Sequence, residues 1–306
     1  MSAKNYSNKT QAGSSVESAK TSTFVLELLN LQKEFTRQMK YAFMTGGAGG
    51  LGGQACRLLA DKGWTVFAAD IDQAALDKIN YQNIIPVQVD ITKIESIERA
   101  RDIVRQYTKG LDAVINFAGM FNFTSLVEND PKIMERVLSV NVMGMINVNY
   151  VMFPLICEAK GRIINISSEI GWLKPQPFTS PYSVSKHAVD TYTDALRREL
   201  QFIGIKVIKI QPGSFRSDMH NAAEETFERL INETSLYKNN LRSLQFIMTN
   251  ELKHANDPIY LSGVVLKACT AKRPKINYRV KNSFKLKLLN ILPDTIIDKI
   301  YKMVIK

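Results

Sequence analysis

A chain of 306 residues, 45% of them apolar, can fold as one large α/β domain with appendages or as two small domains around a substantial core. Its formal net charge of +11 is concentrated, since residues 271–306 hold ten Lys and Arg against Asp294 and Asp298 alone. Nucleic acid is therefore not an expected partner, and the basic tail reads as either a solvated segment or a surface for an anionic membrane.

Residues 1–22, "MSAKNYSNKTQAGSSVESAKTS", offer almost nothing that could pack and are expected to be disordered. In the following "TFVLELLNLQKEFTRQMK", Phe24, Leu28, Leu31 and Phe35 recur at helical spacing and predict an amphipathic helix. The first 23 residues are Ser/Thr-rich with one acid, Glu17, but lack the arginines of a transit peptide. No secretory apolar core is present, and no apolar run approaches the roughly 18 residues of a membrane span. The expectation is a soluble, cytoplasmic protein.

From residue 40 short apolar runs alternate with longer amphipathic ones. "KYAFMT", "WTVFAAD", "IIPVQVD", "LDAVINFAG", "GRIINIS" and "IKVIKIQPG" are apolar almost throughout, as befits parallel strands covered on both faces. Between them helices are predicted from the Gly-rich turn to Asp61, from Asp72, from Lys93, from about Pro131 to Glu158, and over 183–203. "KINYRV" can supply a last strand. The pattern predicts an α/β fold with a doubly wound parallel (Rossmann) sheet, a single domain over 39–282 carrying a C-terminal helical extension at 283–306.

"TGGAGGLGG" follows the first strand and opens the first helix. Gly46, Gly50 and Gly52, with Leu51 among them, let the backbone approach a pyrophosphate that helix N–H groups can bind. Asp70 ends "WTVFAAD" a little over twenty residues on, where a carboxylate can hold both hydroxyls of an adenosine ribose. Asp72 is better placed to cap the next helix. A carboxylate at position 70, and no Lys or Arg in the glycine loop, favour NAD over NADP. Asp90, followed by Ile91, can bind adenine or cap the next helix, and the two readings stand level. "NFAG", Asn116 through Ala118 and Gly119, ends the fourth strand where the ligand crevice of such a sheet lies.

In "SPYSVSKHAVDTYTDALRREL", Tyr182 and Lys186 stand four apart on a predicted helix and share a face. An ammonium beside a phenol favours phenolate, so the Tyr182 pKa is expected below its usual value near 10, suiting it to general acid/base chemistry. In isolation such a pair is an ordinary surface feature. Cys56, Cys157 and Cys269 are too widely spaced for a disulfide framework or a CxxC metal site, and His187, His220 and His254 do not complete one, so no metal is expected.

Taken together, "TGGAGGLG", "NFAG", "SVNVMG", "IINISS", "YSVSK" and "QPGSFRS", in that order, resemble the short-chain dehydrogenase/reductase family over residues 40 to about 280. The resemblance implies Asn141, Ser168, Tyr182 and Lys186 as the catalytic set. Tyr182 would transfer the proton, Ser168 would hold the reacting oxygen, Lys186 would also bind the nicotinamide ribose, and Asn141 would hold a water. Pro212, Gly213 and Ser217 of "QPGSFRS" would complete the cofactor site, with Ser217 where relatives usually carry threonine. Ser168 precedes Tyr182 by fourteen residues rather than the usual thirteen or so, which leaves Ser167 as a competing choice. Read from the residues alone, Asn141 is a buried helix asparagine satisfied by backbone, and Ser168 a strand-end cap.

Within the family the chain looks most like the branch of retinol, hydroxysteroid and 3-hydroxybutyrate dehydrogenases. That implies a small apolar alcohol or ketone as substrate and a homodimer or homotetramer built through the long helices. Met120, Phe121, Phe123, Trp172, Leu173, Phe178, Phe215, Met219 and Phe227 can line an apolar pocket or serve as ordinary core, and the 217–255 insertion can act as a lid. In the tail, Ile296, Ile297, Ile300, Tyr301 and Val304 form one face that suits either the domain or peripheral contact with a membrane. Two further readings stay open: a 3-oxoacyl reductase meeting an acidic carrier protein through the basic tail, and an NAD(H)-sensing regulator without turnover.

Overall fold

The protein is described here by a computed structural model covering residues 39–253 and 255–305. The predicted disordered segment and the helix around Phe24 to Phe35 lie outside the described residues. Among the described residues seven strands form one parallel sheet in the order β3-β2-β1-β4-β5-β6-β7: β1 Lys40–Thr45, β2 Trp64–Asp70, β3 Ile84–Gln88, β4 Ala113–Asn116, β5 Arg162–Ile166, β6 Lys206–Pro212 and β7 Asn277–Val280. The continuous apolar runs have a direct cause. Ala42 and Met44 face one buried cluster, with Ile115, Ile164, Ile208 and Leu59, while Phe43 faces another with Phe67, Val114, Ile163 and Met152. Both sheet faces are thus covered by helices, and neither alternates with polar residues.

The registers Thr45 to Asn116 and Asn116 to Asn165 align the C-terminal ends of β1, β4 and β5. Strand order reverses between β1 and β4, so this is where the crevice of a doubly wound sheet opens. Helix α1 (Gly50–Asp61) follows the glycine turn. The helix expected from Asp72 is one turn, α2 (Gln73–Leu76), capped by Asp72, whose Oδ1 accepts from Ala75 N at 3.0 Å. Helix α3 spans Ile94–Tyr107.

The long helix predicted over 131–158 spans Lys132–Ala159, but its middle, Ser139–Gly144, widens into a π turn between α4 (Lys132–Leu138) and α5 (Met145–Ala159). By length and composition this is a helix apolar enough to cross a membrane, which corrects the sequence expectation that no run comes close. Half of its apolar window is buried inside the chain, as in the core helix of a sheet-covering layer. Helix α6 (Ser180–Leu200) carries Tyr182 and Lys186. The 217–255 insertion folds as α7 (Asp218–Glu233) and α8 (Lys238–Lys253) around a cluster of its own that includes Phe123, Phe227, Leu230 and Leu241. Helix α9 (Pro258–Thr270) covers the sheet before β7, and the tail forms α10 (Phe284–Ile291) and α11 (Asp294–Val304). Of the predicted tail face, Ile297 is buried while Ile296 and Val304 are 44% and 48% exposed.

Candidate active site

The glycine turn is tight for reasons of space as well as dihedral. Gly46 has φ +69°, and a Cβ there would lie 2.9 Å from Ala118 N. A Cβ on Gly52 would overlap the carbonyl oxygen of Gly46. No side chain caps the N-terminus of α1, whose preceding residue is Gly49, so its first-turn N–H groups are left for an anion. Asp70, at the end of β2, accepts from Ala48 N (3.2 Å) and from Asp72 N (3.2 Å), which fixes its carboxylate beside this turn. A cleft of about 580 Å³ runs from Gly46 and Asp70 past Asp90 and Ile91 to Ala118 and Gly119. Bare backbone at the turn and an acid at the strand end fit a dinucleotide, whose pyrophosphate and adenosine ribose need those two features.

Asp90 is committed to its own turn. Its Oδ1 accepts from Thr92 N at 3.0 Å and from the Thr92 hydroxyl at 2.6 Å, and its Oδ2 lies 3.3 Å from Lys93 Nζ. The Thr92 hydroxyl, opposed by burial and helped by the Thr92 amide and Lys93, holds its pKa below the usual carboxylate range. Helix α3 is preceded by Lys93 rather than Asp90, so this carboxylate shapes the cleft wall without capping the helix. Ile91 packs against the π turn, where a Cβ on Gly144 would come within 2.6 Å of Ile91 Cδ1.

Asn116 is buried and turned away from the cleft. Its Nδ2 donates to Asn149 Oδ1 (2.7 Å) and Asn165 Oδ1 (2.8 Å), a brace joining β4, β5 and α5. The turn after it is held by Thr45, whose hydroxyl accepts from Phe117 N at 3.1 Å and Ala118 N at 3.2 Å. Gly119 then meets both clefts: a Cβ on it would lie 3.4 Å from Asn141 Oδ1 and 3.6 Å from Lys186 Nζ. Asn141, in the π turn, uses both its amide hydrogens and one side of its oxygen. Its Oδ1 accepts from Met120 N (2.8 Å), and its Nδ2 donates to Met120 O (2.9 Å) and Ser185 Oγ (3.0 Å). These bonds make it a clamp between the strand-end turn and Ser185 of α6.

Beyond Gly119 a cavity of about 230 Å³ is lined by Ser168, Tyr182 and Lys186 together with Phe121, Phe123 and Phe215. Leu51, Pro212, Gly213 and Ser217 also reach it. Gly213 permits its turn because a side chain would run into the Lys281 backbone. The Phe121 ring packs edge-on against Tyr182 with centroids 4.9 Å apart. Other candidate pocket residues are placed elsewhere. Phe227 is fully buried in the insertion's cluster, Phe178 packs on Tyr237, Leu173 is core, and Trp172 lies 3.7 Å beneath the Arg279 guanidinium. Met120 borders the larger cleft, and the Met219 side chain lies outside the described residues.

The two serines point differently. Ser168 Oγ accepts from Ile170 N at 3.3 Å and lines the same cavity as the Tyr182 phenol. Ser167 Oγ donates to Lys186 O and faces Asp190, on the inner side of α6. Lys186 is buried, with Nζ donating to Ile166 O at 3.1 Å and lying 5.5 Å from the centre of the Tyr182 ring. The expected acidification of Tyr182 does not occur here. Burial pushes the phenol up to about 12, with the Ser168 hydroxyl opposing and the Glu169 charge adding to the rise. Burial also pulls Lys186 down to about 8 against the charge of Asp190, one turn along the helix. Desolvation, the first cause of both shifts, runs against the acidification that spacing alone suggests.

Glu169 is the lining residue that motif reasoning passed over: a buried acid adjoining Ser168, with Oε2 accepting from Ser283 N at 2.6 Å. Among the described residues no group of three or more His, Cys, Asp or Glu could hold a metal, and the three cysteines are free. A separate groove of about 430 Å³, rimmed by Arg197, Lys206, Lys272 and Lys275, lies at the N-terminal ends of β6 and β7, away from these groups.

The sequence profile described as short chain dehydrogenase matches residues 40–228. Human 17-beta-hydroxysteroid dehydrogenase type 6 is 36% identical over 200 residues, which cover 63% of this chain and 62% of that protein. Retinol dehydrogenase 7 of Mus musculus is 34% identical over 65% of this chain and 64% of its own length. Against these two, the chain spans less than two thirds of the relative. Retinol dehydrogenase 16 of Mus musculus is 32% identical over 85% of this chain and 87% of that protein. Among solved structures, NAD+-bound xylitol dehydrogenase superposes with a TM-score of 0.68 at 22% identity, covering 78% of this chain and 96% of that one. A 3-ketoacyl-(acyl-carrier-protein) reductase from Brucella melitensis complexed with NADH gives 0.65 at 20% identity over 78% and 96%. Both likenesses are of fold. The chain belongs to the short chain dehydrogenase family, with retinol and hydroxysteroid dehydrogenases among its relatives.

Proposed function

We propose that this short chain dehydrogenase interconverts a bulky apolar alcohol, steroid- or retinoid-like, and its carbonyl compound with NAD as redox partner. The observation that carries the reading is that Ser168, Tyr182 and Lys186 line one apolar cavity that shares Gly119 with the cleft reaching Asp70. When bound, the nicotinamide ring supplies the hydride acceptor or donor. The chain does the rest. A substrate oxygen bridging the two hydroxyls is held by Ser168 and exchanges its proton with Tyr182 Oη, while Phe121, Phe123 and Phe215 exclude water and receive the apolar body. With its pKa raised to about 12, the phenol keeps its proton at neutral pH, the form that donates in carbonyl reduction. Alcohol oxidation runs through the phenolate, which takes up the alcohol proton and is favoured as pH rises. Lys186 supplies a positive charge on the same face of α6.

Asp70 is the basis for NAD in this reading, because its carboxylate would repel a phosphate on the adenosine ribose. Asp70→Ala is expected to raise kcat/KM with NADP relative to NAD by about tenfold or more, the equivalent of about 1.4 kcal/mol. Initial rates with the two cofactors check it, and an unchanged ratio would remove Asp70 as the discriminator.

The same reading makes the protein a cytoplasmic homodimer or homotetramer. Exposed Met143, Tyr150 and Val184 on the long helices support the interface. Light scattering should give a mass of at least two chains at micromolar concentration, and a monomer would remove the proposal. Peripheral membrane contact would fall to the basic tail, and salt-sensitive binding to anionic vesicles is its test.

A further inference from the structure

Ser168 lies two residues beyond β5 and Tyr182 in the first turn of α6, and residues 169–179 connect them, the turn at Gly171 packing against Lys186 and Asp190 of α6. One short 3-10 turn (Glu169–Gly171) and a left-handed Phe178 (φ +63°) make up much of that path. Thr124 N donates to Phe178 O at 3.0 Å near its end, and further bonds come from more than a hundred residues away. Glu169 Oε2 accepts from Ser283 N at 2.6 Å. Lys174 is gripped three times by the tail: its N donates to Asn290 Oδ1 (2.9 Å), its Nζ donates to Leu292 O (2.7 Å), and its Nζ pairs with Asp294 Oδ1 (2.6 Å). Arg279, on the strand leading into the tail, lies over the Trp172 ring.

The far end of the tail holds a second wall of the same site. Asn240 Nδ2, on α8, donates to Ile305 O at 3.1 Å, and Ile297 and Ile305 are buried. Helix α8 packs with α7, whose Ala223 lines the cavity and whose Phe227 stacks edge-on with the lining residue Phe123 at 4.8 Å. The tail thus spans from the Ser168–Tyr182 loop to the insertion that closes the cavity. An exposed ion pair such as Lys174 with Asp294 does little alone. Here it joins two hydrogen bonds at one residue, beside a buried acid that faces the cavity.

We infer that residues 283–305 are a built part of the substrate site, with Glu169 and Lys174 as positioning residues that set the cavity's size limit by tying the Ser168–Tyr182 loop to the tail. This deepens the proposed function and rests on it. Two variants loosen the tether from opposite sides, Lys174→Ala and Asn290→Ala, and Lys267→Ala removes an exposed charge on α9, outside the tail, as control.

Hydrogen exchange on the whole chain, which needs no turnover, is expected to run about tenfold faster or more at amides 169–178 in both tether variants, with faster exchange also in 238–253, and unchanged in the control. In rate assays with NAD, KM for long-chain secondary alcohols should rise about fivefold or more relative to short-chain ones, with the affinity for NADH, followed by its fluorescence, unaltered. Unchanged exchange at 169–178 in either tether variant overturns the inference. So does faster exchange with an unaltered preference between long and short alcohols. If wild type turns over no alcohol, the functional reading fails by that result, and the exchange experiment still decides whether the tether exists.

Discussion

Replacing Tyr182 with Phe should reduce kcat by between about a hundredfold and ten-thousandfold, the range that a positioned proton-transfer group supplies. NADH affinity should be retained, since the ring is kept and only one oxygen is lost. The reason lies in what remains. Ser168 can still accept from or donate to a substrate oxygen, but its hydroxyl is also engaged with Ile170 N and has no acidic partner. Lys186 cannot substitute, because its ammonium is turned to Ile166 O. The loss should fall on kcat rather than KM, as expected when an interaction acts only in the transition state. Initial-rate kinetics beside a fluorescence titration of NADH check both halves. Retained turnover would remove Tyr182 from the chemistry, and lost NADH binding would mean that the variant reports damage.

Lys186→Met should move activity and stability in opposite directions. Turnover falls because the positive charge leaves the face it shares with Tyr182. The fold gains, because burial has lowered the Lys186 pKa from 10.5 to about 8. A base whose folded pKa lies below its unfolded value binds fewer protons in the native state between those two limits, so its stability contribution rises with pH across that window. Below about pH 8 the full desolvation cost is present, about 1 to 3 kcal/mol after allowing for the lost bond to Ile166 O. Lys186→Met is therefore expected to be more stable than wild type at pH 7, with the gap closing as pH approaches 10.5. Urea unfolding at the two pH values measures it. A variant less stable than wild type at pH 7 would show that Lys186 is held by compensating interactions, Asp190 foremost.

The sheet was legible because strands buried on both faces leave unbroken apolar runs, and the glycine turn because its position between β1 and α1 accompanies its composition. The helix expected from Asp72 is a single turn that stops at Leu76, and the left-handed Asn83 (φ 64°) leads the chain into β3. The π turn around Asn141 leaves no mark in an otherwise helical pattern. Spacing put Tyr182 and Lys186 on one face, but the sign of the phenol's shift depended on burial, which spacing does not report. Phe121, Phe123 and Phe215 could not be separated from Trp172, Leu173, Phe178 and Phe227 by hydrophobicity, since core and cavity wall ask for the same residues. Asn116 looked like part of the crevice and is a brace between strands. Glu169 and Lys174 carry no motif, and their partners at 283, 290, 292 and 294 are joined to them only by the folded chain.

The central claim is that a proton-carrying phenol and a serine hydroxyl converge where a substrate oxygen meets the redox ring. A crystal structure of the chain with NAD and a bound secondary alcohol tests it most directly. The account predicts the alcohol oxygen within about 3.2 Å of both Tyr182 Oη and Ser168 Oγ, with its carbon facing the nicotinamide. An alcohol oxygen out of reach of Tyr182, or a nicotinamide bound outside the cavity of Ser168, Tyr182 and Lys186, would contradict it.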